Sequence, residues 1–247
     1  MKNKTIIITG ASTGIGKAIA AYFIERESNV VMNSSNEDNL KNAYRELGSP
    51  SNAIYYVGDI SKQNTGKALV RLAKETFNSV DVLINNAGVF APKPFLDVLE
   101  EDLEFFWNIN LKGTYFTSQA AITEMINQQN GSIINIGTVL VDHAIGGFPA
   151  TAPITSKGAI HSLTRQLAAE FGKNNIKVNT IAPGIIRSPL QGKMGIEDAD
   201  SLAELHLLNR IGEANEIAEA TYYLASSNFI TGETINVAGG HTVGHSI

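Results

Sequence analysis

The sequence predicts an α/β fold, a doubly wound parallel sheet of seven strands with helices on both faces, and three observations predict it. Short runs rich in β-branched residues alternate with helical patterns along the whole chain, and parallel strands joined by crossover helices produce that alternation. The first run, Ile6-Ile7-Ile8, passes directly into Thr9-Gly10-Ala11-Ser12-Thr13-Gly14-Ile15-Gly16 and then into a helical pattern. A strand, a glycine-rich turn and a helix in that order cradle a phosphate, because glycine lets the backbone approach and the helix start presents free N–H groups. No repeat, low-complexity tract or Pro/Ser-rich linker breaks the pattern, so residues 1–247 read as one domain.

Taken in order, residues 4–9 form a strand and 15–26 a helix whose apolar stripe runs through Ile15, Ile19, Tyr22 and Phe23. Residues 29–33 are a second strand, followed by a helix over 36–47 that stops at Gly48 before Pro50. A third strand covers 53–57 and a helix 62–77; a fourth strand, 80–85, ends in Asn85-Asn86-Ala87-Gly88. Residues 99–128 hold one long helix or a pair, 132–136 a fifth strand, 155–171 a helix and 176–181 a sixth strand. Residues 184–212 are irregular with a short helical stretch, 215–225 is the last helix, and 234–237 the seventh strand. Ligands of such sheets sit at the carboxyl ends of the strands.

Composition narrows the function classes. Of 247 residues, 43% are hydrophobic, enough for a well-buried core. A net charge of -5 argues against a nucleic-acid partner, whose binding surface is normally basic. No apolar run approaches a membrane span, and residues 6–8 are too short for a signal-peptide core, so a cytoplasmic protein with no membrane partner is expected. With no cysteine, disulfides, thiolate metal sites and thiol catalysis are excluded, and no metal is expected.

Further segments complete a set: Asn110 in the long helical region, Ser156-Lys157-Gly158-Ala159, Val178-Asn179-Thr180-Ile181-Ala182-Pro183-Gly184, and the closing Thr231-Gly232-Glu233-Thr234-Ile235-Asn236-Val237-Ala238-Gly239-Gly240. With residues 9–16 and 85–88, these resemble the short-chain dehydrogenase/reductase family over essentially the whole chain. The resemblance implies a Rossmann-like fold that binds a nicotinamide dinucleotide. Gly10, Ser12, Thr13, Gly14, Ile15 and Gly16 would surround the pyrophosphate and adenosine ribose, and Asp59 and Ile60 would meet the adenine. Asn86, Ala87 and Gly88 would line the middle, and Pro183, Gly184, Ile186 and Ser188 the nicotinamide. Asp59 also reads as a loop acid capping the next helix, and Asn85 as a residue that steadies the sheet.

Which dinucleotide binds depends on the residues after the second strand. An acid there bonds the ribose hydroxyls of NAD and repels the 2′-phosphate of NADP. Here Ser34, Ser35 and Asn36 offer only hydroxyl and amide groups, which favours NADP over NAD, although neither Ser35 nor Thr13 is the basic residue common in NADP-dependent relatives.

The resemblance also implies a Tyr-x-x-x-Lys motif with a serine upstream and an asparagine before it. Lys157 matches the lysine, Asn110 the asparagine, and Thr138 supplies a hydroxyl in place of the serine. The tyrosine position is Pro153, and no tyrosine occurs between Tyr115 and Tyr222. His143, next to Asp142 in a loop about two residues longer than usual, is the candidate proton donor, since an imidazole titrates near neutral pH. The expected function is an NAD(P)-dependent oxidoreductase acting on a small, rather apolar alcohol or carbonyl compound. Phe90, Phe95, Ile145, Phe148, Leu190, Met194 and Leu205 would supply the apolar walls, and residues 188–212 a lid. The alternative is a catalytically silent dinucleotide-binding sensor or scaffold. A homotetramer or homodimer is expected by resemblance.

Overall fold

Residues 1–189, 192 and 198–244 are described by the structure, a computed structural model. Leu190, Met194 and His245 lie outside the described residues.

The elements run β1 (Thr5–Ile8), α1 (Gly14–Glu25), β2 (Asn29–Ser34), α2 (Glu37–Glu46), β3 (Ala53–Val57), α3 (Gln63–Phe77) and β4 (Val82–Asn85). They continue with α4 (Glu100–Phe106), α5 (Thr114–Gln128), β5 (Gly131–Ile136), α6 (Thr151–Phe171), β6 (Ile176–Pro183), α7 (Ala214–Ser226) and β7 (Thr234–Val237). All seven strands pair in parallel in the order β3-β2-β1-β4-β5-β6-β7. The order reverses between β1 and β4, so the loops leaving those two strands diverge and open a crevice.

Successive side chains of a strand point to opposite faces, and this alternation divides the core in two. Ile6 and Ile8 pack with Val30, Met32 and Ile84 against α1, α2 and α7. Ile7 packs with Val31, Leu83 and Ile133 against α3, α5 and α6. Each of these strand side chains is fully buried, worth about 1.5–3 kcal/mol apiece relative to exposure.

Two departures from the sequence expectation matter for the site. The long helical region 99–128 is α4 and α5 joined by a π-helical turn, Trp107–Gly113, which turns Asn110 inward to full burial. Extra residues in a helical turn of this kind recur at functional sites. Gly113 lets Ile60 pack against this turn, since a Cβ would lie 2.4 Å from Ile60 Cδ1 and push that side chain aside. Helix α6 begins at Thr151 rather than 155, with Pro153 in its first turn. Proline fits that place because a first-turn N–H has no intrahelical partner to lose. Among the described residues, no helix is long and apolar enough to cross a membrane.

Candidate active site

A cleft of about 800 Å3 runs along the carboxyl ends of the strands. Its floor is the glycine turn after β1. Thr9 Oγ1 accepts the N–H groups of Asn86 (3.1 Å) and Ala87 (3.0 Å), while Asn86 Nδ2 donates to Thr9 O and Gly10 O, both at 3.0 Å. The turn is thereby tied to the end of β4. Gly10 has φ +64°, and a Cβ on it would lie 2.7 Å from Ala87 Cα; on Gly16 it would lie 2.2 Å from Gly10 O. Only glycine fits either place. Helix α1 starts at Gly14 with no side-chain cap and no acidic residue in its first turn, so its first N–H groups are left for a ligand.

At one end the cleft is polar. Ser12 Oγ donates to Ser34 Oγ (3.0 Å), which also accepts Asn36 N–H (3.2 Å), and Asn36 Oδ1 caps α2 through Asn39 N (2.8 Å). Ser35 and Asn39 line the same end. Asp59 Oδ1 and Oδ2 accept the N–H and hydroxyl of Ser61 at 2.9 and 2.8 Å, closing a turn before α3 rather than capping the helix, whose N-cap is Lys62, and Asp59 and Ile60 also line the cleft. Asn85 takes the structural part: its Nδ2 donates to Ser118 Oγ and Asn135 Oδ1, both at 2.9 Å, inside the sheet.

The other end is built by α6, the π-helical turn and the loops after β5 and β6. Lys157 lies on α6, buried, with its Nζ donating to Ile136 O at 2.7 Å. Burial lowers its pKa to about 8, because the charged form loses its hydration and no carboxylate compensates. Asn110 Oδ1 accepts Val89 N–H at 2.8 Å, and its Nδ2 donates to Val89 O (3.0 Å) and Ser156 Oγ (2.9 Å). Gly88 lies between the two side chains: a Cβ there would lie 3.0 Å from Lys157 Nζ and 3.1 Å from Asn110 Oδ1. Thr138 lines the cleft and begins a short 3-10 turn, accepting Leu140 N–H at 3.3 Å.

Pro183, Gly184, Ile186 and Ser188 line the cleft after β6, and Ser188 reaches back over the glycine turn, its Cβ 3.3 Å from where a Cβ on Gly14 would be. The loop is held from behind by His206, whose Nε2 accepts Ile185 N–H at 3.2 Å, and by a parallel bridge from Ile186 to Gly212. Within the lid region 188–212, a short helical turn, Ala199–Leu205, brings Leu202 and Leu205 into the lining.

The structure therefore gathers Thr138, Lys157 and the residues expected around a dinucleotide at one cleft, whereas Asn110 is fully buried behind the lining, and His143, Asp142 and Phe95 also depart from the sequence reading. His143 does not line the cleft; its ring packs edge-on against that of His241, centroids 5.3 Å apart. The carboxylate expected to orient His143 lies elsewhere too, because Asp142 Oδ2 is 3.8 Å from His161 Nδ1. His161 is buried beneath the cleft floor, where a Cβ on Gly137 would come 2.4 Å from its Nε2. At Asp142 and His143 the loop turns toward α6 and the C-terminal turn, and it returns to the cleft from Ile145 onward. Of the apolar residues, Phe90, Ile145, Phe148 and Leu205 line the cleft, with Phe90 and Phe148 stacked at 6.0 Å, whereas Phe95 is exposed outside it.

Sequence reasoning passed over Val89, Ile109, Leu140 and Leu202, which also line the cleft. Their apolar character fits core and cleft equally, so no sequence signal separates the two. Ser156 was legible only as a neighbour of Lys157; its bond to Asn110 depends on the π-helical turn. Among the described residues, no cluster of three or more His, Cys, Asp or Glu could hold a metal ion.

Comparison with known proteins agrees with this geometry. A family model described as enoyl-(acyl carrier protein) reductase matches residues 10–242. A 3-oxoacyl-[acyl-carrier-protein] reductase of Thermotoga maritima is 32% identical over 244 residues, covering 97% of this chain and 98% of its own. Among solved structures, ElxO with NADP bound has a TM-score of 0.90 at 29% identity, covering 98% of this chain and 99% of that one. A short-chain type dehydrogenase/reductase from Mycobacterium marinum has a TM-score of 0.92 at 28% identity, over 98% and 97%. Glycine cradle, strand order and near full-length similarity agree: the chain belongs to the short-chain dehydrogenase/reductase family, a family of oxidoreductases.

Proposed function

We propose that the protein is an NAD(P)-dependent oxidoreductase that interconverts a small, rather apolar alcohol and the corresponding carbonyl compound. The observation that carries the reading is the single cleft with an uncapped helix start and glycine cradle, a polar end at Ser34–Asn36, and an apolar end beside Lys157. Bound there, a nicotinamide dinucleotide would supply or accept the hydride. Gly10, Ser12, Thr13, Gly14, Ile15 and Gly16 would hold its pyrophosphate and adenosine ribose, and Asp59 and Ile60 its adenine. Asn86, Ala87, Gly88, Pro183, Gly184, Ile186 and Ser188 would hold the nicotinamide half. Lys157 has N–H donors beyond the one given to Ile136 O and would hold the ribose there. Thr138 would orient the substrate oxygen, and Asn110 would keep Val89 and α6 in register around it.

Ser12, Ser34, Ser35 and Asn36 favour NADP over NAD, since no carboxylate stands among them to repel a 2′-phosphate. Phe90, Ile145, Phe148, Leu202 and Leu205 favour an apolar substrate. The reading takes residues 1–247 as one domain, with 188–212 as lid, in a cytoplasmic homo-oligomer. Exposed Leu103, Phe105, Trp107 and Tyr115 along α4, the π-helical turn and α5 support self-association.

A second reading, a dinucleotide-binding sensor without turnover, rests on Pro153, which brings no titratable group to the motif position and does not line the cleft. Titration of intrinsic fluorescence with NADH and NADPH, followed by a panel of ketones, aldehydes and alcohols, decides between them. Saturable binding with turnover supports the enzyme; binding without turnover supports the sensor; no binding of either dinucleotide overturns both.

A further inference from the structure

Resting on that reading, we infer that the Lys157 ammonium is the catalytic acid that protonates the substrate oxygen in reduction, and its neutral amine the base in oxidation. Among the described residues lining the cleft, only Asp59 and Lys157 carry an ionisable side chain. Asp59 lies beyond β3, at the far edge of the sheet from β5 and α6, and its carboxylate oxygens are engaged by Ser61. Thr138 and the serines hold their protons far too tightly to act as acids unaided. Among the described residues, a proton needed at the apolar end therefore has one side-chain source in the lining.

The geometry around Lys157 suits that source. Its Nζ spends one N–H on Ile136 O and forms no ion pair with any described carboxylate, so its other donors are uncommitted. The absent side chain of Gly88 leaves the space beside Nζ open. The other charged groups in reach are on the same helix or its neighbouring loop: His161 one turn along α6, with Arg165 and Asp142 around it. A buried lysine with no counter-ion gives up its proton more readily than an exposed one.

In the reducing direction, the carbonyl carbon gains a hydride from a reduced nicotinamide dinucleotide. The C=O π pair moves onto oxygen, and that oxygen takes one proton from the Lys157 ammonium. The lysine is left a neutral amine, which solvent reprotonates before the next cycle. Oxidation runs the same transfers backwards.

Four measurements test this. In the protein without dinucleotide, the pH-dependence of Lys157 acylation, followed by peptide mass spectrometry, is expected to show a midpoint near 8. With substrate, reduction is expected to fall tenfold per pH unit above that midpoint, and oxidation to fall tenfold per unit below it. Lys157→Arg keeps the charge but cannot release the proton; it is expected to lose at least about 100-fold in turnover at saturating dinucleotide, so that the loss is not one of dinucleotide affinity. As a check on misfitting of the larger guanidinium, small primary amines added to Lys157→Ala should restore turnover in proportion to their basicity. Turnover retained in Lys157→Arg, or amine rescue indifferent to amine pKa, overturns the inference and leaves Lys157 a ribose holder. Binding without turnover of any substrate also overturns it, in favour of the sensor. Failure to bind a dinucleotide is a different result, which removes the parent reading itself.

Discussion

Asn110 Nδ2 donates to Ser156 Oγ at 2.9 Å, and Ser156 Oγ in turn donates to Pro153 O at 2.7 Å. This chain of bonds couples the π-helical turn to the first turn of α6, one residue from Lys157. Ser156→Ala leaves an Asn110 N–H buried and unpartnered, which costs about 1–3 kcal/mol. Asn110→Leu strips Val89 N and O of their partner as well, so the loss is larger. Urea denaturation of both variants checks the order: Asn110→Leu must be the less stable.

Gly16→Ala tests the cradle. Its Cβ would sit 2.2 Å from Gly10 O and 2.4 Å from Asn86 Nδ2, so the bond from Asn86 to the glycine turn must give way. Dinucleotide affinity is expected to fall at least about tenfold, a change of about 1.4 kcal/mol. Circular dichroism should remain that of the parent, because the pairing of the seven strands does not involve Gly16. Undiminished affinity would detach the turn from the ligand.

Ser34→Asp tests the polar end. A carboxylate at the end of β2 attracts ribose hydroxyls and repels a 2′-phosphate. The variant is expected to bind NADPH at least about tenfold more weakly, with NADH affinity equal or improved. Equal losses for the two would show that residues 34–36 do not read the 2′ position.

How much of this was legible in the sequence follows from what sets each feature. Strands were legible because a strand buried on both faces is a continuous apolar run, as at Ile6-Ile7-Ile8. Their parallel arrangement was legible because a helix between successive strands makes each connection a crossover. The start of α6 was not, because proline reads as a breaker until its place in the first turn is known. The inward turn of Asn110 was hidden for a related reason: an added residue in a helix rotates the side chains that follow by about 100° without changing local propensity. His143 failed as a cleft residue because loop 139–150 is positioned by long-range packing against His241 and α6, which adjacency of Asp142 and His143 in sequence does not encode.

His161 should set part of the acid response. Burial lowers its pKa, an effect larger than the pull of Asp142, so the folded state holds the ring neutral while an unfolded chain protonates it near its ordinary value of about 6.5. The unfolded state then binds the extra proton, and stability falls as pH drops through about 6.5. In His161→Leu this component is absent. Chemical denaturation between pH 5 and 8 is expected to show a shallower acid-side loss in the variant, and an identical slope would mean that His161 is charged in the fold.

Lys157 should cost stability at neutral pH for the same chemistry that the inference above exploits. Unfolded, the side chain holds its proton to about 10.5; folded, only to about 8. Below pH 8 both states are protonated and the burial penalty is present in full, about 3 kcal/mol at 1.36 kcal/mol per pKa unit. Between 8 and 10.5 the unfolded chain binds the extra proton, so stability rises with pH, and above 10.5 the penalty is gone. Lys157→Met removes that penalty but leaves Ile136 O without its donor, a loss of about 1–3 kcal/mol. The variant is therefore expected to be more stable than the parent by about 1 kcal/mol at pH 7 and less stable above pH 10.5. Denaturant midpoints measured for both proteins across pH 7–11 should cross. A difference that stays constant with pH would mean that the folded protein leaves Lys157 as hydrated as the unfolded chain does, and the site would lose its acid.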